Sequence, residues 1–288
     1  MIPMPGRSYS GAPRPLSGED RALSLRLRLH VATLASGERN TDLETSARYV
    51  EAALTRVGLA PRSHYFESGG RRVRNIEAGS GDIVVGAHYD TVPGTPGADD
   101  NASGVAVLIE LAALKVPVRF VAFANEEMPY FYSNEMGSWA WAKRARERGD
   151  KIRAMFSLEM LGYYRDAPGS QRYPPPLGLF YPDRADFIAF VGDLGARSLV
   201  RRSIESFREK AQFPSEGVAA PGFIPGVTWS DHWSFRRHGY DAIMITDTAF
   251  NRYPHYHLPS DTPDKLDYER MARLTLGLSE MLKQLAKE

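Results

Sequence analysis

The sequence predicts an α/β protein built on a mostly parallel sheet with helices on both faces. Three observations carry that reading: strand-sized runs that are apolar almost throughout, helical stretches alternating with them, and a chain of 288 residues with no internal repeat or linker that would force two domains. A run without polar alternation suits a strand covered on both faces. A strand–helix–strand order favours parallel neighbours, and the length suffices for a large core.

The elements follow in order. Residues 1–20, "MIPMPGRSYSGAPRPLSGED", are rich in Pro and Gly and read as an extended arm. "TDLETSARYVEAALTRVG" predicts a helix with Thr41 and Glu44 as a capping box, Leu43, Ala47, Val50, Leu54 and Val57 on one face, and Gly58 as its stop. "RRVRNIEAG" and "DIVVGAH" are β-rich, and "NASGVAVLIELAALK" reads as a helix with Asn101 as N-cap. "VPVRFVAFANEE" predicts a strand, Trp139 to Arg148 a helix, "RAMFSLEMLGYY" a strand, "RADFIAFVGDLGARSLV" a helix and "YDAIMITDTAF" a strand. The C-terminal helix sets Met271, Leu274, Leu278, Leu282 and Leu285 in register. Residues 162–182, Pro-rich and aromatic, read as a surface loop or lid.

With 36 basic and 35 acidic residues the formal net charge is +1, so the overall field gives no reason to expect nucleic acid or an anionic membrane as partner. The absence of cysteine excludes disulfides and thiolate-held metal, leaving imidazole and carboxylate as ligands. No apolar run is long enough to span a bilayer. The N-terminal arm lacks the apolar centre of a signal peptide, so a cytoplasmic location is expected unless an export signal has been lost from the chain.

Chemistry-bearing residues cluster at strand ends. His88 and Asp90 close the "DIVVGAH" strand, Asp100 precedes a helix, Glu126 and Glu127 end the next strand, and Glu159 lies near the end of the third. His255 and His257 stand in a loop before the last helix. The carboxyl ends of strands are where open α/β sheets bind ligands, and so many carboxylates brought together call for cations. Two histidines and three carboxylates supply two zinc sites if one carboxylate bridges. A water shared by two metals becomes acidic enough to attack a carbonyl, with a further carboxylate as proton shuttle. The two neighbouring glutamates point opposite ways from an extended chain, one to metal and one to the water. Asp90, two residues from His88, is placed to accept the ring's other N–H. Manganese or cobalt suits such a donor set as well as zinc.

"HYDTVPGTPGADDNASG", "FANEEM", "SLEMLGYY" and "YHLPSDTPDKLD", in that order from about residue 40 to the C-terminus, resemble the motifs of the co-catalytic di-zinc aminopeptidases of peptidase clan MH, relatives of glutaminyl cyclases and glutamate carboxypeptidase. The resemblance implies one domain, residues 21–288, with a mixed, largely parallel twisted sheet between helices. It implies that His88 and Glu159 hold one zinc ion, Glu127 and His257 a second, and that Asp100 bridges. Glu126 becomes the general base and acid, Asp90 orients His88, and Tyr256 helps stabilise the oxyanion. The implied activity is removal of N-terminal residues from peptide substrates. Glu159 departs from the pattern, since most aminopeptidases of the group carry aspartate there.

Other readings stand beside these. A single-zinc glutaminyl cyclase uses related motifs for acyl transfer, and a peptidase fold that has lost its ligands serves as a binding domain. Asp99 reads as a helix N-terminal charge, and Ser230 and Asp231 of "SDHW" as caps of the helix that follows. The chain has no G-x-S-x-G elbow, which argues against a serine hydrolase. His255, Tyr163, Tyr164, Trp229 and Phe250 are expected to line the substrate pocket. Side-chain specificity and oligomeric state have no signal in the sequence.

Overall fold

The computed structural model describes residues 3–288; residues 1 and 2 of the expected arm lie outside that range. The arm ends at Ser17, and Gly18, Glu19 and Asp20 already belong to helix α1 (Gly18–Leu34). Ser17 and Asp20 form a reciprocal capping box, and Leu23, Leu27, Val31 and Leu34 make the buried stripe. This helix is absent from the elements read off the sequence. Helix α2 (Leu43–Arg56) is capped by Asp42, which accepts the Thr45 N–H at 3.1 Å. The expected Thr41–Glu44 box does not form, because Asp42 occupies the cap and Glu44 is drawn to Arg74 at 2.8 Å.

Strands β1 (Arg62–Ser68) and β2 (Arg71–Gly79) form an antiparallel hairpin. Then come β3 (Ile83–His88), an irregular helical turn (Ala98–Ser103), α3 (Gly104–Ala113), β4 (Arg119–Phe123), α4 (Gly137–Arg148) and β5 (Ala154–Glu159). Next are β6 (Ile188–Asp193), α5 (Arg197–Lys210), β7 (Ser215–Ala220), α6 (His232–Arg237), β8 (Ala242–Thr246) and α7 (Tyr268–Leu285). One mixed sheet runs β1-β2-β4-β3-β5-β8-β6-β7. Its centre, β4-β3-β5-β8, is parallel, while β2 joins β4, and β6 joins β8, in the antiparallel sense.

Residues 184–200, expected to be one helix, are instead β6 followed by the start of α5. The apolar run from Phe187 to Val191 satisfies a buried strand as well as a helix. Pairing with β7 and β8 decides the matter, and Asp193 then turns the chain by accepting the Ala196 N–H at 2.9 Å.

Helices α1, α2, α3, α5 and α7 pack on one face of the sheet, α4 and α6 on the other. Alternate residues of a single strand serve both layers: Val85 of β3 joins the larger core with Leu27, Leu108 and Leu278, whereas Val84 joins Trp141 and Phe235. Each such fully buried side chain contributes about 1.5–3 kcal/mol. At Gly86 a Cβ would lie 2.3 Å from the Phe123 ring, so only glycine lets β3 and β4 keep this packing. Among the described residues, no helix is long and apolar enough to cross a membrane.

Candidate metal centre

The sheet topology decides where the chemistry collects. From β3 the chain passes through α3 to β4 on one side, then crosses to β5 on the other, which makes the carboxyl end of β3 a switch point. His88 is the last residue of β3 and Glu159 the last of β5. Asp100 comes from the turn before α3, Glu126 and Glu127 from the segment after β4, and His257 from the loop between β8 and α7. All are buried except His257, whose side chain is 34% exposed.

Asp100 stands between the two imidazoles. Its Oδ1 lies 3.3 Å from His88 Nε2 and its Oδ2 3.0 Å from His257 Nε2. Glu159 Oε1 is 3.4 Å from His88 Nε2, and Glu127 Oε1 is 3.5 Å from His257 Nε2. His88, Asp100 and Glu159 thus offer one convergent donor set, and Asp100, Glu127 and His257 a second. Donors arranged tetrahedrally on arms of ~2.0–2.1 Å are separated by roughly 3.3 Å, so the observed spacings suit zinc at both places. Asp100 Oδ1 is buried with no hydrogen-bond partner among the described residues, a donor left for a cation.

Charge at the site follows from burial. Burial alone would raise Asp100, but the His257 and His88 imidazoles beside it hold its carboxyl below the usual range. Glu127 is pushed up to about 8 by burial and by Asp100. Glu126 is raised well above an ordinary glutamate by burial, with Glu127, Glu159 and Asp231 adding to the effect. A carboxyl so raised holds a proton more readily than an ordinary glutamate.

Asn125, just before the two glutamates, takes φ 59°, and both Glu126 and Glu127 reach into the set around His88. The expectation that they point apart is corrected: the two carboxylates come together beside His88. Asp90 holds the segment, accepting Glu126 N–H on Oδ1 and Glu127 N–H on Oδ2, each at 3.0 Å. His88 Nδ1 stands 3.4 Å from Asp90 Oδ1. Asp90 therefore stands beside His88 without accepting its ring N–H, and its carboxylate instead anchors both glutamates, a role the sequence reading does not contain.

Three further expectations are corrected. Asp99 is a fully buried group, accepting the Gly162 N–H at 2.8 Å, because the helix starts at Gly104 and leaves Asp99 inside the preceding turn. Asn101 likewise is not at the N-cap position, although its Oδ1 accepts the Gly104 N–H at 3.2 Å. Ser230 and Asp231 do not cap α6 through their side chains. Ser230 Oγ donates to Glu159 Oε2 at 2.6 Å, and Asp231 is buried, its carboxyl pushed up to about 7 by that burial. No local signal reveals the Ser230 contact, since its partner is 71 residues away.

A cavity of about 100 Å³ opens beside Glu159 and Tyr256. Trp229 and Phe250 line it as expected, together with Tyr173, Phe187 and Met244. Tyr163, Tyr164 and His255 do not: Tyr163 packs against Tyr253, Tyr164 against Phe213, and His255 Nδ1 pairs with Ser260 Oγ at 2.9 Å. Within the 162–182 loop, the aromatic and proline-rich part from Tyr173 to Tyr181 forms the cavity wall, while residues 162–164 are buried. The Tyr256 ring stacks on the His257 imidazole at 3.7 Å, and burial and the surrounding carboxylates raise its phenol.

The model of peptidase family M28 matches residues 72–282, a span holding every one of these donors. The chain belongs to peptidase family M28. The M28 chain is 40% identical to the uncharacterized protein YfbL of Escherichia coli (strain K12), over 94% of this chain and 89% of that one. It is 28% identical to the solved BSAP, a zinc aminopeptidase from Bacillus subtilis, with a TM-score of 0.59 over 76% of this chain and 52% of that one. LapB from Legionella pneumophila shares the fold, with a TM-score of 0.71 at 21% identity over 98% of this chain and 79% of that one. The chain spans about half the length of the curated aminopeptidases it matches.

Proposed function

We propose that this M28 protein is a zinc-dependent aminopeptidase that hydrolyses the first peptide bond of peptide substrates. The observation that carries the reading is the placement of Asp100, whose two carboxylate oxygens face His88 and His257 separately, each within a set completed by Glu159 or Glu127. His88 and Glu159 would hold one ion, Glu127 and His257 the other, with Asp100 between them.

A zinc pair held at these residues would supply the Lewis acidity that polarises a carbonyl and acidifies a water. Glu126 takes the proton of the attacking water and passes it to the leaving amine, the task its raised carboxyl suits. Asp90 keeps Glu126 in place through its main chain. Tyr256, fixed by its stack on His257, donates its hydroxyl to the developing oxyanion. The aromatic cavity receives a large apolar N-terminal side chain.

The test uses peptides with free and acetylated N-termini, before chelator treatment, after it, and after zinc is restored. The proposal expects stepwise loss of N-terminal residues from free peptides only, abolished by the chelator and recovered with zinc. Cyclisation of glutamine-initiated peptides without hydrolysis, read by mass spectrometry, would replace it with the acyl-transfer reading.

A further inference from the structure

The turn between α1 and α2 carries Glu38, Arg39 and Asn40, and all three side chains bond the loop that follows β3. Glu38 Oε2 accepts the Gly94 N–H at 2.8 Å. Asn40 Oδ1 accepts the Thr91 N–H at 3.1 Å, and its Nδ2 donates to Thr91 O. Between them Arg39, 3% exposed, inserts its guanidinium into the loop that joins His88 to α3. Its Nε donates to Tyr89 O at 2.8 Å, Nη1 to Pro96 O at 2.8 Å, and Nη2 to Asp90 O, Gly97 O and Asp100 O at 3.2, 3.0 and 3.3 Å. Nη1 also reaches Leu34 O, the end of α1, at 3.3 Å.

This is an unusual use of a buried arginine. No carboxylate lies within salt-bridge distance of Arg39 among the described residues; the fork is spent on main-chain carbonyls instead. The price of burying the cation appears in its own acidity, which burial lowers to about 10, with Asp90 and Asp100 opposing the shift. A planar fork of five N–H donors can gather such carbonyls, and a lysine ammonium cannot span them.

Resting on the zinc reading above, we infer that Arg39 is a positioning residue for the metal centre, acting through the backbone of residues 89–100. That loop carries Asp90, which holds the two glutamates, and Asp100, which faces both imidazoles. Tying Tyr89, Asp90, Pro96, Gly97 and Asp100 to one rigid group fixes the separation of the His88 and Asp100 donors. Gly97 belongs to the device: it takes φ 60°, and a Cβ there would lie 2.8 Å from Arg39 Nη2. Arg39 itself lies outside residues 72–282, the span matched by the M28 family model, while the loop it braces lies inside that span.

The test compares the full-length wild type with Arg39→Lys, Arg39→Ala and Asn40→Ala. Zinc affinity is read by competition with a chromophoric chelator, the visible spectrum is read after cobalt substitution, and melting of the metal-free protein serves as control. In folded protein, Arg39→Lys is expected to weaken zinc binding by about 10- to 100-fold, the range typical of losing a supporting group around ligands, and to change the cobalt spectrum. Added methylguanidinium is expected to recover affinity in Arg39→Ala, whereas equal ionic strength of sodium chloride is not. Asn40→Ala, which spares the arginine, shifts affinity in the same direction by less and serves if neither Arg39 variant folds. Wild-type zinc affinity and cobalt spectrum in the folded variants, with only a lower melting temperature, would overturn the inference. Failure of the wild type itself to bind zinc would instead remove the functional reading on which it rests.

Discussion

Asp90 and Glu126 are joined by a main-chain hydrogen bond: the Asp90 Oδ1 atom accepts the Glu126 N–H at 3.0 Å, and the other oxygen of the same carboxylate takes the Glu127 N–H at the same distance. The end of β3 thereby determines where the segment after β4 delivers its two acids. Asp90→Asn leaves the shape but turns one acceptor into a donor, so one buried N–H loses its partner at a cost of about 1–3 kcal/mol. The expected result is zinc binding weakened roughly 10- to 100-fold together with lower turnover. A competition titration for zinc checks it, and unchanged affinity would show that the glutamates hold their places unaided.

Glu126→Gln tests the proton shuttle separately from metal binding. Removing the shuttle is expected to lower kcat by on the order of 10² or more while leaving zinc content unaltered. Paired kinetics and elemental analysis of one preparation decide it. Full activity in this variant assigns the base to another group.

The acid–base balance of the centre predicts opposite pH trends with and without zinc. In the metal-free protein Glu127 is held up at about 8, against 4.5, by burial and Asp100. His257 is held up at about 10, against 6.5, because Asp100 and Glu127 outweigh the effect of burial. Both groups are raised in the folded protein, so the stability each contributes is complete below its unfolded value and is lost as pH rises through its folded value. These windows run from 4.5 to about 8 for Glu127 and from 6.5 to about 10 for His257. Zinc binding requires both groups deprotonated, so it strengthens as pH rises and releases protons. Melting curves across these windows, with and without zinc, are expected to diverge as pH increases; parallel curves would contradict the assignment of Glu127 and His257 as ligands.

The cavity makes a prediction about specificity. Ala189, on β6, lines it beside Phe187 and Met244. Ala189→Phe fills the space, which removes the burial available to a large substrate side chain and lowers kcat/KM for leucyl and aromatic substrates by about tenfold or more. An alanyl substrate should be affected less, and zinc content not at all. Equal losses on all substrates would place the N-terminal side chain elsewhere.

Much of this centre was legible in the sequence because its residues sit at positions where the local pattern breaks. His88 and Glu159 each end a run too apolar to bury a charge without a partner, and Asp100 precedes an evident helix. The sheet centre was legible for the same reason. Residues 184–200 misled because a five-residue apolar run fits two periods equally well, and only pairing with β7 and β8 selects the strand. Helix α1 was hidden by Leu25 and Leu29, which are 68% and 64% exposed and blur its buried stripe. The divergence expected of Glu126 and Glu127 rested on strand alternation, but both residues lie beyond the end of β4 and their carboxylates converge at His88. Arg39 had no sequence signal, because most of its acceptors are carbonyls 50 or more residues away.

The central claim is that this fold holds two zinc ions on one bridging carboxylate, and counting them tests it most directly. The protein is stripped with chelator, titrated with zinc from limiting to excess, freed of unbound metal and analysed by elemental mass spectrometry alongside an Asp100→Ala variant. The account predicts two ions per wild-type chain and neither ion held tightly once Asp100 is removed. One ion per chain, or two that persist in Asp100→Ala, would contradict it.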